Sequence, residues 1–247
     1  MVFDADAGAI AVISLYETSP TTQADAVKSF YKISKSFYKA IPGFYGLALF
    51  SSGDGARVME LTQWQDQPSY ETFQASLASG GGAEDYSKYY EKYAGAKGGK
   101  DKGKSKDDEV SLGEPFLTAT FAIDQVVSPP GMVSAIPGSM ALVQLSDMAA
   151  DTPEQQIELI EAAKATLAGL SELYPSPRTA VLLRGIDTSH IALLANWGSA
   201  AEFSDLDQVP KLALAATEDE AVAFTTDSHL YQTVKVITPK AEKYGKG

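Results

Sequence analysis

Residues 57–73, RVMELTQWQDQPSYETF, and residues 190–206, HIALLANWGSAAEFSDL, each read as a β-rich strand closed by a tryptophan and followed by a short helix. Trp64 and Trp197 are the only tryptophans in the chain and stand 133 positions apart. Working outward at that offset, Ser19-Pro20 meets Thr152-Pro153, Gln23 meets Gln156, Val27 meets Ile160, Pro42 meets Pro175 and Leu49 meets Leu182. Unrelated segments rarely keep so many anchors in step without a gap, so the reading is one fold written twice. The period lies far above the roughly 20–50 residues of solenoids and propellers, which makes this a duplicated domain and not an array.

Each repeat reads as strand, helix, strand, strand, helix, strand. The run AIAVISLY at 9–16 is the first strand. Ser19 is placed to cap a helix with Pro20 at its first position, and Val27, Phe30, Ile33, Phe37 and Ile41 recur at helical spacing until Pro42-Gly43 stops it. Tyr45–Ser51 and Arg57–Trp64 flank SGDG, a hairpin signal that RGIDTS repeats in the second half. Pro68 opens a short second helix through Tyr70, Phe73 and Leu77, with a counterpart from Ala200 through Phe203 and Leu206. Phe116–Val127 and His229–Ile237 are the closing strands. This order predicts an α+β fold: two ferredoxin-like repeats whose helix-free sheet faces meet in an intramolecular, pseudo-dimeric α+β barrel.

The predicted domains are 1–128 and 139–247, joined by a Pro/Gly-rich linker at 129–138. Matching Leu117 to Leu230 lowers the offset to 113, which assigns about 20 extra residues to the first repeat. The surplus is an insertion at 79–110 holding EDYSKYYEKY and then a Gly/Lys-rich stretch with the makeup of a disordered loop. Its tyrosines at 86, 89, 90 and 93 share one helical face, either docked on the domain or offered to a protein partner.

Composition narrows the function. A net charge of −12 argues against nucleic acid as partner, because phosphate binding needs a basic surface. The absence of cysteine excludes disulfides, thiolate nucleophiles and Cys-ligated metals. No apolar run approaches the ~20 residues that span a bilayer, and the first residues lack the basic start of a secretory signal, so the expectation is a cytoplasmic protein without a membrane span. With two repeats fused, a monomeric pseudo-dimer is expected, unless exposed edge strands support a homodimer.

The strand-ending tryptophan, with an aromatic six residues on, resembles the antibiotic biosynthesis monooxygenase family. Trp64 with Tyr70 fits that pattern more fully than Trp197 with Phe203. The resemblance implies the dimeric α+β barrel and oxidation of a phenolic or polycyclic aromatic small molecule by O2, with no metal or other cofactor. Such chemistry needs an apolar pocket, a group that favours the ionised substrate and polar anchors. Strand alternation places Val58, Glu60, Thr62 and Trp64 on one face. Glu60 stands where antibiotic-oxidising members carry asparagine, and partial burial would raise its pKa toward the range useful for deprotonating a phenol. The alternative is a Glu60 that faces solvent or pairs with Arg57. Catalysis is thereby assigned to Glu60, Trp64 and Tyr70 and substrate binding to Thr62, Phe73, Trp197 and Phe203, with the Trp64 indole N–H free to bond a substrate oxygen.

The same face of the second repeat reads Ile191, Leu193, Ala195 and Trp197, which move no proton. A haem-degrading branch of the family adds a histidine about ten residues past the tryptophan and an asparagine on the first strand. Gln74 and Asp207 stand at the former position, and neither first strand has an asparagine, so haem is disfavoured, although His229 could reach one from another direction. Phosphate-loop, nucleophile-elbow and zinc-helix motifs are absent. The other reading is a non-catalytic module binding a small molecule, haem or a protein on the same scaffold.

Overall fold

A computed structural model describes residues 1–79, 112–170, 175–186, 189–210, 212, 214 and 225–239. The tyrosine-rich insertion lies outside the described residues, apart from its first position. The first half runs β1 (Ile10–Glu17), α1 (Gln23–Phe37), β2 (Phe44–Ser52), β3 (Arg57–Trp64), α2 (Gln67–Ser79) and β4 (Leu117–Val127). The second runs β5 (Ala141–Ala149), α3 (Pro153–Ala168), β6 (Thr179–Gly185), β7 (His190–Ser199) and β8 (Thr225–Ile237). No described helix is long and apolar enough to cross a membrane.

All eight strands join one closed antiparallel barrel in the order β1-β3-β2-β8-β5-β7-β6-β4. Within it the halves contribute β4-β1-β3-β2 and β8-β5-β7-β6, the same arrangement twice. They meet at β2–β8, where Ser52 pairs with Tyr231, and at β4–β6, where Phe121 pairs with Gly185. Closure gives every strand two neighbours, so the edge strands expected to support a homodimer do not exist among them.

Alternation along each strand sorts side chains into two environments. Ile13, Leu15, Phe50, Met59, Leu61 and Phe121 fill the interior. Val12, Leu49, Val58 and Trp64 face outward beneath the first-half helices, while Leu142, Leu182, Leu193 and Trp197 lie against α3. Each such large apolar side chain contributes about 1.5–3 kcal/mol when fully buried. At one end of the barrel Phe3 and Ile136 cover the interior; the Met1 ammonium donates to the Ile136 carbonyl at 2.9 Å, and Phe3 N–H to Ser134 at 2.8 Å. The opposite end is polar: Arg57 pairs with Asp227, Asp227 holds His229 Nδ1 at 2.9 Å, and Asp147 holds His190 Nδ1 at 3.0 Å.

Three sequence expectations are corrected. Helix α1 begins at Gln23, not at Pro20, because Ser19 and Thr22 hydroxyls bond each other at 2.8 Å and the Ser19 carbonyl takes the Thr22 and Gln23 N–H groups in a separate turn. Thr152 does cap α3, accepting from Gln155 N–H with Pro153 in the first turn. The second-half counterpart of α2 is not a helix through Phe203 but two 3-10 turns, Ala200–Glu202 and Leu206–Gln208. The Ser199–Glu202 capping box closes the first turn, Phe203 is extended, and Asp205 starts the second.

The third correction concerns the last strands. Val12 pairs with Thr62 and Thr120, while Gln144 pairs with Ala195 and Leu230. Thr120, and not Leu117, therefore occupies the position of Leu230. A slip of three residues exchanges the two faces of a strand. Leu117 accordingly packs toward the interior and Leu230 outward.

Candidate active site

Glu60 sits mid-strand in β3, on the outward face that α1 and α2 cover, and is only 6% exposed. The solvent-facing alternative is thus excluded, and Arg57 is engaged elsewhere, with Asp227. Two tyrosine hydroxyls reach the carboxylate: Tyr16 donates to Oε2 and Tyr38 to Oε1, each at 3.0 Å. Tyr16 comes from the adjacent strand β1, where it shares the outward face. Tyr38 comes from the 3-10 turn that extends α1. Burial pushes the Glu60 carboxyl up from 4.5 to about 7, against the lowering influence of the two hydroxyls. A carboxyl titrating near neutrality in an aromatic enclosure can both take and return a proton.

Trp64 ends β3 two alternations beyond Glu60. Phe73 of α2 stacks on its ring at 4.8 Å between centroids, Tyr70 lies at 5.4 Å, Phe44 at 5.6 Å and Tyr38 at 6.4 Å. The structure therefore brings Glu60, Thr62, Trp64, Tyr70 and Phe73 together on one face. One expected role is corrected: the Trp64 indole N–H is not free for a substrate oxygen, because it donates to Thr62 Oγ1 at 3.0 Å. Thr62 is buried and orients the indole. The Tyr70 hydroxyl accepts from Gln74 Nε2 at 2.8 Å.

Trp197 and Phe203 lie 133 and more residues away in the other half and do not join this group. Trp197 is 2% exposed and donates to Gln144 Oε1 at 3.2 Å; Phe203 packs at the margin of the same cluster. By strand register Leu193 stands where Glu60 does and Met148 where Tyr16 does, so the second half carries no equivalent carboxylate. Its polar groups come instead from neighbouring strands: Gln144 Nε2 donates to Ser228 Oγ at 3.1 Å and to Ser146 Oγ at 3.3 Å. A cavity of about 550 Å3 opens beside Gln144 and Ser228, whereas the surroundings of Trp64 hold aromatic rings. Tyr16, Tyr38, Gln144 and Ser228 escaped sequence reasoning. Alternation along β1 would have found Tyr16, since it shares the parity of Val12; Tyr38 carries no such signal.

Among the described residues no three His, Asp or Glu side chains gather as a metal site. Both histidines are engaged by aspartates at the polar end of the barrel.

No protein-family model matches the chain, and no curated protein sequence matches it. Solved structures do. The chain is similar to an anthrone oxidase-like protein at 15% identity, with 98% of each chain covered and a TM-score of 0.62. It is also similar to a provisionally described monooxygenase from Fusobacterium nucleatum at 10% identity, covering 94% of this chain and 95% of that one, with a TM-score of 0.55. A third, from Lactobacillus acidophilus and described likewise, shares 8% identity over 94% of this chain and 96% of that one, with a TM-score of 0.50. At these identities the likeness is one of fold alone.

Proposed function

We propose that the chain is a cofactor-independent monooxygenase that oxidises a phenolic or polycyclic aromatic small molecule with O2, using Glu60 in the first half as general base. The observation that carries this reading is the Glu60 carboxyl itself: buried, tuned to about 7 and gripped by Tyr16 and Tyr38. Glu60 takes the acidic proton of the substrate, and the electron-rich anion then delivers electrons to O2. One oxygen atom enters the substrate carbon and the other leaves as water; at a ring-activated methylene, loss of four electrons makes a carbonyl and no external reductant is required. Trp64 and Phe73 form the apolar wall, Thr62 holds the indole, and Tyr70 borders the route in. Tyr38, bonded to Glu60, and Tyr70, against Trp64, are partly exposed, and this reading has substrate enter past these two side chains. The fold shared with an anthrone oxidase-like protein supports the choice of substrate class.

The same reading takes 1–128 and 139–247 as two copies of one unit fused into a pseudo-dimer through 129–138, with the first copy active. The identical strand order of the halves supports it. Oxygen uptake by purified protein with a panel of hydroxyanthrones and naphthols tests the function: uptake that Glu60→Gln abolishes supports it, and absence of uptake with every member rejects it.

A binding role without turnover is the second reading. The burial of Trp64 against four aromatic rings weighs against turnover at the indole and so towards this reading. Saturable binding of the same panel without oxygen uptake is its signature.

A further inference from the structure

We propose a second, non-catalytic ligand site at the seam of the two halves, which takes an uncharged, mainly apolar small molecule bearing a hydroxyl or carbonyl group. It stands independently of the Glu60 reading. The cavity of about 550 Å3 lies between the outward face of β5 and β8 and the 3-10 turns that replace the second helix. Such a volume falls within the roughly 300–1,000 Å3 of small-molecule sites. Leu142, Leu230, Leu206 and Val209 supply apolar wall, and the β2–β3 turn of the other half closes one side through Gly53.

The reason for the cavity lies in that turn. At the offset of 133, Gly53 corresponds to Ile186 in the β6–β7 turn. Each turn reaches across the seam toward the opposite half. Ile186 packs against the first-half core, and its N–H donates to the Thr120 carbonyl at 2.9 Å. Gly53 offers no side chain, and a Cβ built there would meet no atom within 4 Å. One half thus has its seam filled by an isoleucine while the other is left open. The broken helix enlarges the opening, because two short turns cover less of the sheet than α2 does.

The polar lining defines the ligand class. Gln144 is 3% exposed and stands where the first half has Val12. Its Oε1 takes the Trp197 N–H and its Nε2 supports the Ser228 hydroxyl, which lines the cavity and can donate to or accept from a ligand oxygen. Asp54 and Asp207 also line it, which sets the field against anions.

The test uses the full chain with 2-naphthol, naphthalene and 2-naphthoate, read by equilibrium dialysis and by Trp197 emission in a Trp64→Phe background. Gly53→Ile copies the other half and narrows the cavity at the seam; Leu206→Trp narrows it from the opposite wall and serves if the first variant misfolds. The expected result is saturable 2-naphthol binding, weaker binding of naphthalene, no binding of 2-naphthoate, and at least a tenfold rise in Kd in either cavity-narrowing variant. Three results overturn the proposal: binding unchanged in both variants, binding lost in Glu60→Gln but kept in Gly53→Ile, or no binding of 2-naphthol to the parent protein.

Discussion

The Tyr16 hydroxyl donates to Glu60 Oε2 at 3.0 Å from the strand next door, so that adjacent strands β1 and β3 present a buried carboxylate with a built-in partner. Tyr38 makes the matching bond to the other oxygen. Both hydroxyls favour the ionised carboxylate and burial opposes it, so the balance between them sets the proton affinity of the group.

Stability carries a signature of this balance. Glu60 has a folded-state pKa of about 7 against 4.5 unfolded, so the folded state holds the extra proton between those values. Its contribution is fully present below 4.5 and is lost as pH rises through about 7, at a cost of about 3 kcal/mol. Glu60→Gln removes the ionisation. Thermal unfolding should show the variant gaining stability relative to the parent as pH rises from about 5 to about 8. A constant difference across that window contradicts a buried, titrating Glu60.

Tyr16→Phe removes one hydroxyl that favours the charged carboxylate. The Glu60 pKa then moves further up, and the pH at which activity reaches half its plateau moves up with it. Loss of a hydrogen bond to a charged group costs about 1.5–3 kcal/mol with the site ionised. A lowered plateau with an unmoved midpoint would show that Tyr16 acts only in packing.

Trp64→Phe and Trp197→Phe each remove buried ring area and should each destabilise by about 1–3 kcal/mol. Turnover should separate them, with Trp64→Phe losing at least tenfold more kcat/KM than Trp197→Phe once stability is matched. Equal losses contradict the assignment of catalysis to the first half.

Much of this was legible in the sequence, and the reasons differ by element. The strand order of the α+β barrel was readable because strand parity and turn residues are local signals. Parity also put Glu60, Thr62 and Trp64 on one face. The burial of Glu60 was not legible, since it depends on Tyr16 and Tyr38 arriving from two other elements. The Thr62 bond to the Trp64 indole was missed because it joins i to i+2 along a strand, a pairing set by side-chain rotamers. The misplaced counterpart of Leu230 came from matching one leucine to another, where only the pairing with Gln144 reveals the true register. The cavity beside Gln144 depends on what Gly53 lacks, and a missing side chain leaves no mark in hydrophobic pattern.

The most direct measurement is oxygen uptake with a hydroxyanthrone substrate followed from about pH 5 to about pH 9 for the parent protein and for Glu60→Gln. The account predicts uptake by the parent that rises with pH through a midpoint near 7 and levels off above it, and a variant that stays at the uncatalysed rate. Equal uptake by the two proteins, or a parent profile that follows only the substrate's own ionisation, contradicts Glu60 as the base.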